Sequence, residues 1–556
     1  MEQVDDGDAS GAGLLRHRKP PARLQTRVED PHQRLSSHQS LRTRSNPSTD
    51  GDYWSDAGQV GYIPDDPTKV GLDRIQTFAY YDKVYAISPR LDHTHSKPSP
   101  DPQTLDPYYA TLFGGVPKQP IAMHRGYGMR QNEALVLYRD GYLGVAGTQT
   151  SRGAKDRPYP GLVFPVNKIP TAIAITQQNE LALVTVWDIT TRKGQLAVVA
   201  LEGKYIPYHT WPYMGLPNQG SWSSFKLLGY VDLPMSAPTS VSATSNGVWK
   251  GPSETDNRVL SQISLSNDKH RKNVYDGAWA KLVATAGYAI VASREENKVT
   301  IVDLSPVLQY FRTSYLSSAS SFKSTLAARG SGASQFPQTF SARPSIKPTI
   351  AKTFSIPQPT AVLAGLRMER WTKDRHKAHV LSRDGNMHII DTSPIMARFS
   401  YEKRGTLDVM GKFYVGKNPV AMCFTRFKDK NVPLITKGAD GNITPDPLNN
   451  TIHVALRGDR KVVTVVSFGG QGKVYRTIND QRMADPVALS VAERGNILTV
   501  ADFRGKKIIS YRIGNIKDSR NGVTYGCGPK GTDGFECGGE LKLPGYPFLV
   551  GTANVN

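Results

Sequence analysis

The sequence predicts an all-β protein, a seven-bladed β-propeller closed into a ring by its C-terminal strand and carrying long loop insertions. Three observations carry that expectation. Short β-type runs dominate the chain, one Pro-led pattern recurs along it, and the opening strands lack a Pro-led strand of their own. Radial repetition of four-stranded units buries the faces between neighbours and leaves only short edges, which is how a propeller makes a core from such a repeat.

Residues 1–55 carry Ser, Pro, Asp, Gln and Arg without a sustained apolar period, so a disordered or extended N-terminal arm is expected ahead of a propeller over residues 56–556. The first strands, "RIQTFAYYDKVYAIS", follow at residues 74–88. The recurring unit begins with "PIAMHRGYGMRQNEALVLYRDGYLGVAG" at Pro120 and is clearest in "PTAIAITQQNELALVTVWDITTRKGQLAVVAL" from Pro170. Each unit reads as Pro, a strand, a polar turn, a second strand, a polar hairpin and a β-branched third strand. Further phase marks stand at Pro238, Pro359, Pro419, Pro486 and Pro547. The strand beside Pro547 is expected to complete the sheet opened at the N-terminus.

Spacing between marks runs from 50 to 121 residues, against roughly 40 to 50 for a bare blade. The surplus belongs in insertions. Residues 202–237 are rich in Tyr and Trp, residues 249–276 are polar, and residues 305–356 are basic and Ser/Gly/Pro-rich. The first half of the last insertion suits a short helix and the remainder a flexible loop or one ordered on contact. Tyr208, Trp211, Tyr213 and Trp222, with Arg312, Lys323, Arg329 and Arg343, are candidate partner-binding residues. Rigid rings give contact area at low entropic cost. A satellite core under the aromatic loop and a solvated basic decoration are the competing readings.

At "ALVTVWDITTRKGQLAVVAL", "AIVASREENKVTIVDL", "IHVALRGDRKVVTVVSF" and "ILTVADFRGKKIISYRI" the chain resembles the YVTN family of propellers and, more distantly, lactonase-type propellers. In that family a Tyr-Val-Thr-Asn-like strand end meets a polar hairpin and then a Val/Ile-rich strand ending near Asp, as at Asp303 and Asp391 here. The resemblance implies the fold, and admits a lactonase-like activity. Trp187-Asp188 precedes its hairpin instead of closing a third strand, and no recurring Gly-His accompanies it, so a WD-repeat reading does not fit.

Asp188, Arg294, Glu295, Arg457, Asp502 and Arg504 fall at or beside equivalent hairpins, with Glu296, Asp459 and Arg460 as neighbours. A ring of such residues at a channel mouth would bind a small anion or polar ligand. The same charges also serve as solvated hairpins or as links that hold blades in register. A hydrolase would need one of the carboxylates to activate water and an arginine to stabilise the oxyanion. His124, His379, His388 and His453 are scattered, and no HExxH, GxSxG, P-loop, paired CxxC or dinucleotide fingerprint is present.

No cofactor is expected; in "DGNITPDPLNN" Asp440, Asn442 and Asp446 alternate as oxygen donors that calcium could use, although the loop reads better as an Asx and Pro turn. His93 and His95 would need outside partners to bind zinc. Three cysteines are too few for a disulfide framework: Cys423 reads as a small buried hydrophobe, while Cys527 and Cys537 form either a disulfide or two free thiols.

The charge of +21 would attract nucleic acid, anionic lipid or acidic glycans. Its spread along the chain names no single partner. No run approaches the 18 apolar residues of a bilayer-spanning helix. The absence of a visible signal peptide favours the cytoplasm, whereas a Cys527–Cys537 disulfide would favour an extracytoplasmic location. The leading expectation is a noncatalytic binding or assembly module that uses its insertions and N-terminal arm for contacts with a protein partner, another copy or a surface. The alternative is a lactonase-like or other small-molecule hydrolase at the channel mouth.

Overall fold

The computed structural model describes residues 57–64, 74–79, 103–104, 120–125, 132–148, 160–204, 210–212, 221–247, 263–365, 376–400, 402–424, 451–491, 497–512, 516–517, 524–525, 536–543 and 545–551. The expected N-terminal arm lies outside them. β1 (Ala57–Pro64), β2 (Arg74–Ala79) and β3 (Gln103–Thr104) come first. Sheet I contains β4 (Pro120–Arg125), β5 (Asn132–Tyr138), β6 (Tyr142–Thr148) and β7 (Leu162–Val163). Sheet II contains β8 (Lys168–Ile175), β9 (Leu181–Asp188) and β10 (Lys193–Lys204), with β11 (Thr210–Pro212) and β12 (Ser221–Asp232) both paired to β10.

Sheet III is β13 (Ser240–Ser245), β14 (Gly287–Ser293), β15 (Lys298–Asp303) and β16 (Thr349–Ser355). Sheet IV is β17 (Pro359–Ala364), β18 (Lys377–Ser382), β19 (Asn386–Asp391) and β20 (Val409–Tyr414). Sheet V is β21 (Pro419–Phe424), β22 (Thr451–Leu456), β23 (Lys461–Phe468) and β24 (Gln471–Ile478). Sheet VI joins β25 (Pro486–Val491), β26 (Ile497–Asp502) and β27 (Lys507–Arg512) to β30 (Glu536–Lys542), with β28 (Ile516–Lys517) and β29 (Thr524–Tyr525) paired to each other between them. Finally, β31 (Gly545–Gly551) pairs with β1 in a closing sheet ordered β3-β2-β1-β31.

This is an all-β propeller. The expectation of seven blades is corrected to six that are each wound from one stretch of sequence, sheets I to VI, and the expected closure by the C-terminal strand takes the form of a composite sheet of two distant stretches. First strands of successive sheets touch in turn, β4 to β8, β13, β17, β21, β25 and on to β31, which also meets β4.

The Pro marks acquire a physical meaning. In five sheets the pairing of the first strand with the second shifts register between the Pro and the residue two beyond it: Pro120/Ala122, Pro170/Ala172, Pro359/Ala361, Pro419/Ala421 and Pro486/Ala488. Proline has no N–H for the ladder, and a bulge absorbs the defect. Where the skipped residue is Thr, its hydroxyl donates to the facing carbonyl, as Thr171 does to Thr185 and Thr360 to Leu381. In the closing sheet Pro547 and Leu549 face the adjacent residues Tyr62 and Gly61, so the same step recurs.

Apolar residues sit mostly between sheets. Leu135 and Leu137 of sheet I meet Ile173 and Val184 of sheet II; Ile290 of sheet III meets Val380 and Ile390 of sheet IV; Leu381 and Met387 of sheet IV meet Val454 and Val465 of sheet V; and Val462 of sheet V meets Val500 and Ile509 of sheet VI. A larger cluster joins sheets II and III to the insertions.

The insertions are more ordered than expected. The polar insertion ends in α1 (Asp268–Tyr275), capped by Asn267, whose side chain accepts from Lys269 and His270 amides. Residues 305–356 begin with two helices, α2 (Ser305–Leu316) and α3 (Ala319–Ala327), not one helix and a flexible loop. Phe336, Phe340 and Ile346 beyond them are buried in the large cluster. In the aromatic insertion residues 221–232 are strand β12, and Trp222 is 1% exposed.

Candidate functional site at the hairpin face

The hairpins between second and third strands share one construction. Four of them end on a residue with left-handed backbone, Arg192, Asn297, Arg460 and Lys506, at φ of 55°, 53°, 53° and 51°. Each is followed by a lysine that starts the third strand: Lys193, Lys298, Lys461 and Lys507. The same face carries the connectors that lead into the first strands, and hairpin carboxylates bind those connectors.

Asp188 accepts from Asn167 Nδ2 at 3.0 Å, Lys168 Nζ at 2.7 Å and the Thr190 amide at 3.0 Å. The Lys168 ammonium, more than the other donors and against some burial, holds its carboxyl well below the usual range. Glu296 accepts from the Ser236 amide at 2.8 Å and the Ala237 amide at 3.1 Å. Asp459 takes the Lys417 amide at 2.8 Å, and buried Asp502 takes the Ala484 and Asp485 amides at 3.0 and 2.6 Å. These four carboxylates are latches.

Between sheets V and VI the same face builds something more open. Arg457, from the β22–β23 hairpin, donates to Asp485 through Nε at 2.6 Å and Nη2 at 2.9 Å. Arg504 Nε stands 3.6 Å from the same carboxylate. The Phe503 and Tyr546 rings are 5.1 Å apart, with Arg457 5.9 Å from the first ring's centroid and Lys506 4.8 Å from the second. The side chains of Arg504 and Arg457 are 71% and 42% exposed, whereas that of Asp485 is 5% exposed. Solvent therefore meets cations and ring edges, with the carboxylate beneath them.

Of the six channel-mouth candidates, three gather here: Arg457, Asp502 and Arg504. Asp188 belongs to sheet II, and Arg294 and Glu295 are exposed on the β14–β15 hairpin of sheet III. Asp485, Phe503, Lys506 and Tyr546 were not singled out in the sequence. Asp485 directly precedes a Pro mark and Lys506 occupies the left-handed hairpin position, and those were the available signals.

Three of the insertion candidates are arginines with partners within the fold. Arg312 bonds the Tyr275 carbonyl and lies 4.1 Å from the Tyr275 ring centroid, capping the last turn of α1. Arg329 pairs with Glu202, and Arg343 stacks 4.8 Å from the Tyr310 centroid and donates to Gln338. Lys323 is exposed on α3. Trp211 lies in β11 opposite Gly203, while Tyr208 and Tyr213 lie outside the described residues.

Asp440, Asn442 and Asp446 lie outside them too, as do His93, His95 and Cys527; Cys537 is in β30 opposite Tyr511. Cys423 lies half-buried on β21, where a fully buried small hydrophobe was expected. His379 donates to or accepts from Ser467 at 2.8 Å, and His453 does the same with Thr464 at 3.0 Å. Among the described residues no three His, Cys, Asp or Glu side chains come together as a metal centre, and no helix is long and apolar enough to cross a membrane.

No protein-family model and no curated protein matches the chain. Solved structures do, as propellers. The periplasmic gluconolactonase PpgL of Pseudomonas aeruginosa is 11% identical, with a TM-score of 0.43 over 90% of this chain and 99% of that one. A putative 6-phosphogluconolactonase of Bacteroides fragilis is 9% identical, with a TM-score of 0.41 over 91% and 99%. The Cps50 (Swd1) propeller domain of Myceliophteria thermophila is 9% identical, with a TM-score of 0.34 over 74% and 85%. At these values no residue role transfers from any of them.

Proposed function

We propose that this chain is a noncatalytic propeller-type binding module whose ligand is anionic and docks on the hairpin face between sheets V and VI. The observation that carries the reading is the exposed pair Arg457 and Arg504 over a recessed Asp485, beside the Phe503 and Tyr546 rings. Guanidinium groups already oriented by a buried carboxylate lose little freedom on meeting a carboxylate, sulfate or phosphate, and the rings supply a planar contact. The insertion arginines Arg312, Arg329 and Arg343 have intramolecular partners, as Arg457 does; what favours the hairpin face is that Arg504, 71% exposed, stands beside Arg457 and the two rings. The same reading takes the composite closing sheet as the seventh blade, holding sheets VI and I, and so this mouth, in a fixed relation.

A hydrolase at this face would ask Asp188, Glu295 or Asp502 to activate water. Asp188 and Asp502 already accept several donors each. A sulfated oligosaccharide serves as probe: titration into the full-length protein is expected to show binding that weakens with salt. The double variant Arg457→Ala/Arg504→Ala should weaken it about tenfold or more, at charge-assisted bonds of about 1.5–3 kcal/mol each. Lys323→Ala, on α3, should leave it unchanged. Equal affinity for wild type and the double variant sinks the proposal.

A further inference from the structure

The five residues Thr176, Gln177, Gln178, Asn179 and Glu180 join the first and second strands of sheet II, and every one is at most 1% exposed. Polar hairpins belong at the surface, because each buried polar group must find a partner. Most here do. Thr176 Oγ1 donates to Glu180 Oε2 at 2.6 Å, the Gln178 amide donates to the same oxygen at 3.1 Å, and the Leu181 amide donates to Thr176 Oγ1 at 3.0 Å. Gln178 Nε2 donates to the Leu282 carbonyl at 2.8 Å, and the Leu201 amide to the Glu180 carbonyl at 3.0 Å.

Three side-chain oxygens are left over. Glu180 Oε1, Gln178 Oε1 and Ser245 Oγ are buried without a hydrogen-bond partner. They belong to one neighbourhood. Thr244, next to Ser245 at the end of β13, donates to Gln177 Oε1 at 3.3 Å, which brings Ser245 against this turn. Burial pushes the Glu180 carboxyl above its ordinary range, opposed in part by Thr176 and Ser245. The Gln178 side-chain amide lies against Gly247, two residues beyond Ser245, where an added Cβ would fall 2.0 Å from Gln178 Oε1. Separately, each orphan costs about 1–3 kcal/mol. A carboxyl, an amide oxygen and a hydroxyl in one buried place are the donor set of a hard cation.

We infer that Glu180, Gln178 and Ser245 form a buried site for one monovalent cation, sodium or potassium, at the junction of sheets II and III. A single carboxylate balances a single positive charge, whereas a divalent ion would keep an uncompensated charge in the interior. The ion joins the turn of one sheet to the end of the first strand of the next, so it pins neighbouring blades together. This site is separate from the hairpin-face cluster and does not depend on it.

The test uses the full chain, unfolded thermally in NaCl, KCl or N-methyl-D-glucamine chloride at equal ionic strength. One of the two metal ions should raise the Tm saturably, by about 2–4 °C, and Glu180→Gln and Ser245→Ala should remove that rise. Equal Tm in all three salts, with Glu180→Gln at least as stable as wild type, overturns the site in favour of a protonated carboxyl or a trapped water. A rise with calcium alone overturns the monovalent assignment. Should the variants fail to fold, sodium-23 and potassium-39 NMR on the wild type decide: broadening of either line that is reversed by an excess of the other ion supports the site, and two unbroadened lines reject it.

Discussion

His379 and His453 are fully buried in sheets IV and V, and burial, with Lys377 and Arg476 respectively adding repulsion, pushes each imidazole down to about 3. His379 also joins two sheets, since Ser467 belongs to β23. A histidine whose folded value is depressed contributes stability that is present above its unfolded value near 6.5 and is lost as the pH falls from there toward 3. Thermal unfolding at pH 7 and pH 4.5 should therefore show a marked loss at the lower pH, reduced in His379→Asn. A flat profile in wild type would contradict the neutral, buried assignment. At this scale the sequence showed which residues carry charge but not what they touch. Asp188 and Asp502 looked like exposed mouth residues, and their partners are backbone amides and a lysine of the connectors. The turn Thr176–Glu180 reads only as a polar turn; its burial comes from segments far along the chain, such as Leu282.

The hairpin and the first strand are the elements in which letters and geometry agree best. Proline at the start of a first strand announces a missing donor, and the register shift two residues later is its consequence. Hairpins obey a second rule: Asn, Arg or Lys takes the left-handed position in four of them, and Gly takes it in the two Arg-Asp-Gly turns, at Gly141 (φ 88°) and Gly385 (φ 95°). Arg192→Gly should hold or raise stability by up to about 1 kcal/mol, by removing a left-handed side chain. Gly385→Ala should cost about 2 kcal/mol, because its Cβ would come within 2.4 Å of the Tyr414 ring and 2.5 Å of the Gly416 carbonyl. Denaturant midpoints of the two variants against wild type check both signs. The insertions were the illegible elements. Ser and Gly in residues 305–356 suggested mobility, yet Lys226 Nζ of β12 is held by the carbonyls of Gly330, Gly332 and Gln335 at 2.7, 2.9 and 2.8 Å. Such a contact spans more than a hundred residues, beyond what local pattern can signal.

For the whole molecule, a run of similar sheets makes a ring only if the last meets the first. The sequence pointed to that closure through what was missing: the opening strands had no Pro-led strand, and Pro547 had no strands after it. Deleting residues 545–556 removes β31, which lies against β25, β26 and β4 as well as pairing with β1. Unfolding followed by tryptophan fluorescence and circular dichroism should then drop in midpoint and split into non-coincident steps. A single transition at the wild-type midpoint would show that the ring does not depend on this strand. The Arg457–Asp485 cluster was the part of this face that the sequence left open, because it is assembled from two sheets and no motif spans it.

The pairing of β1 with β31 also bears on synthesis. A ribosome delivers sheets I to VI in order, each able to pack on the one before it, but the strand that unites them is translated long after the strand it must find. Until then the nascent protein presents a raw β edge at each end of an open arc, inviting pairing with another nascent copy. Chaperone demand and slow late maturation should thus concentrate at the point where β31 emerges, when the arc becomes a ring.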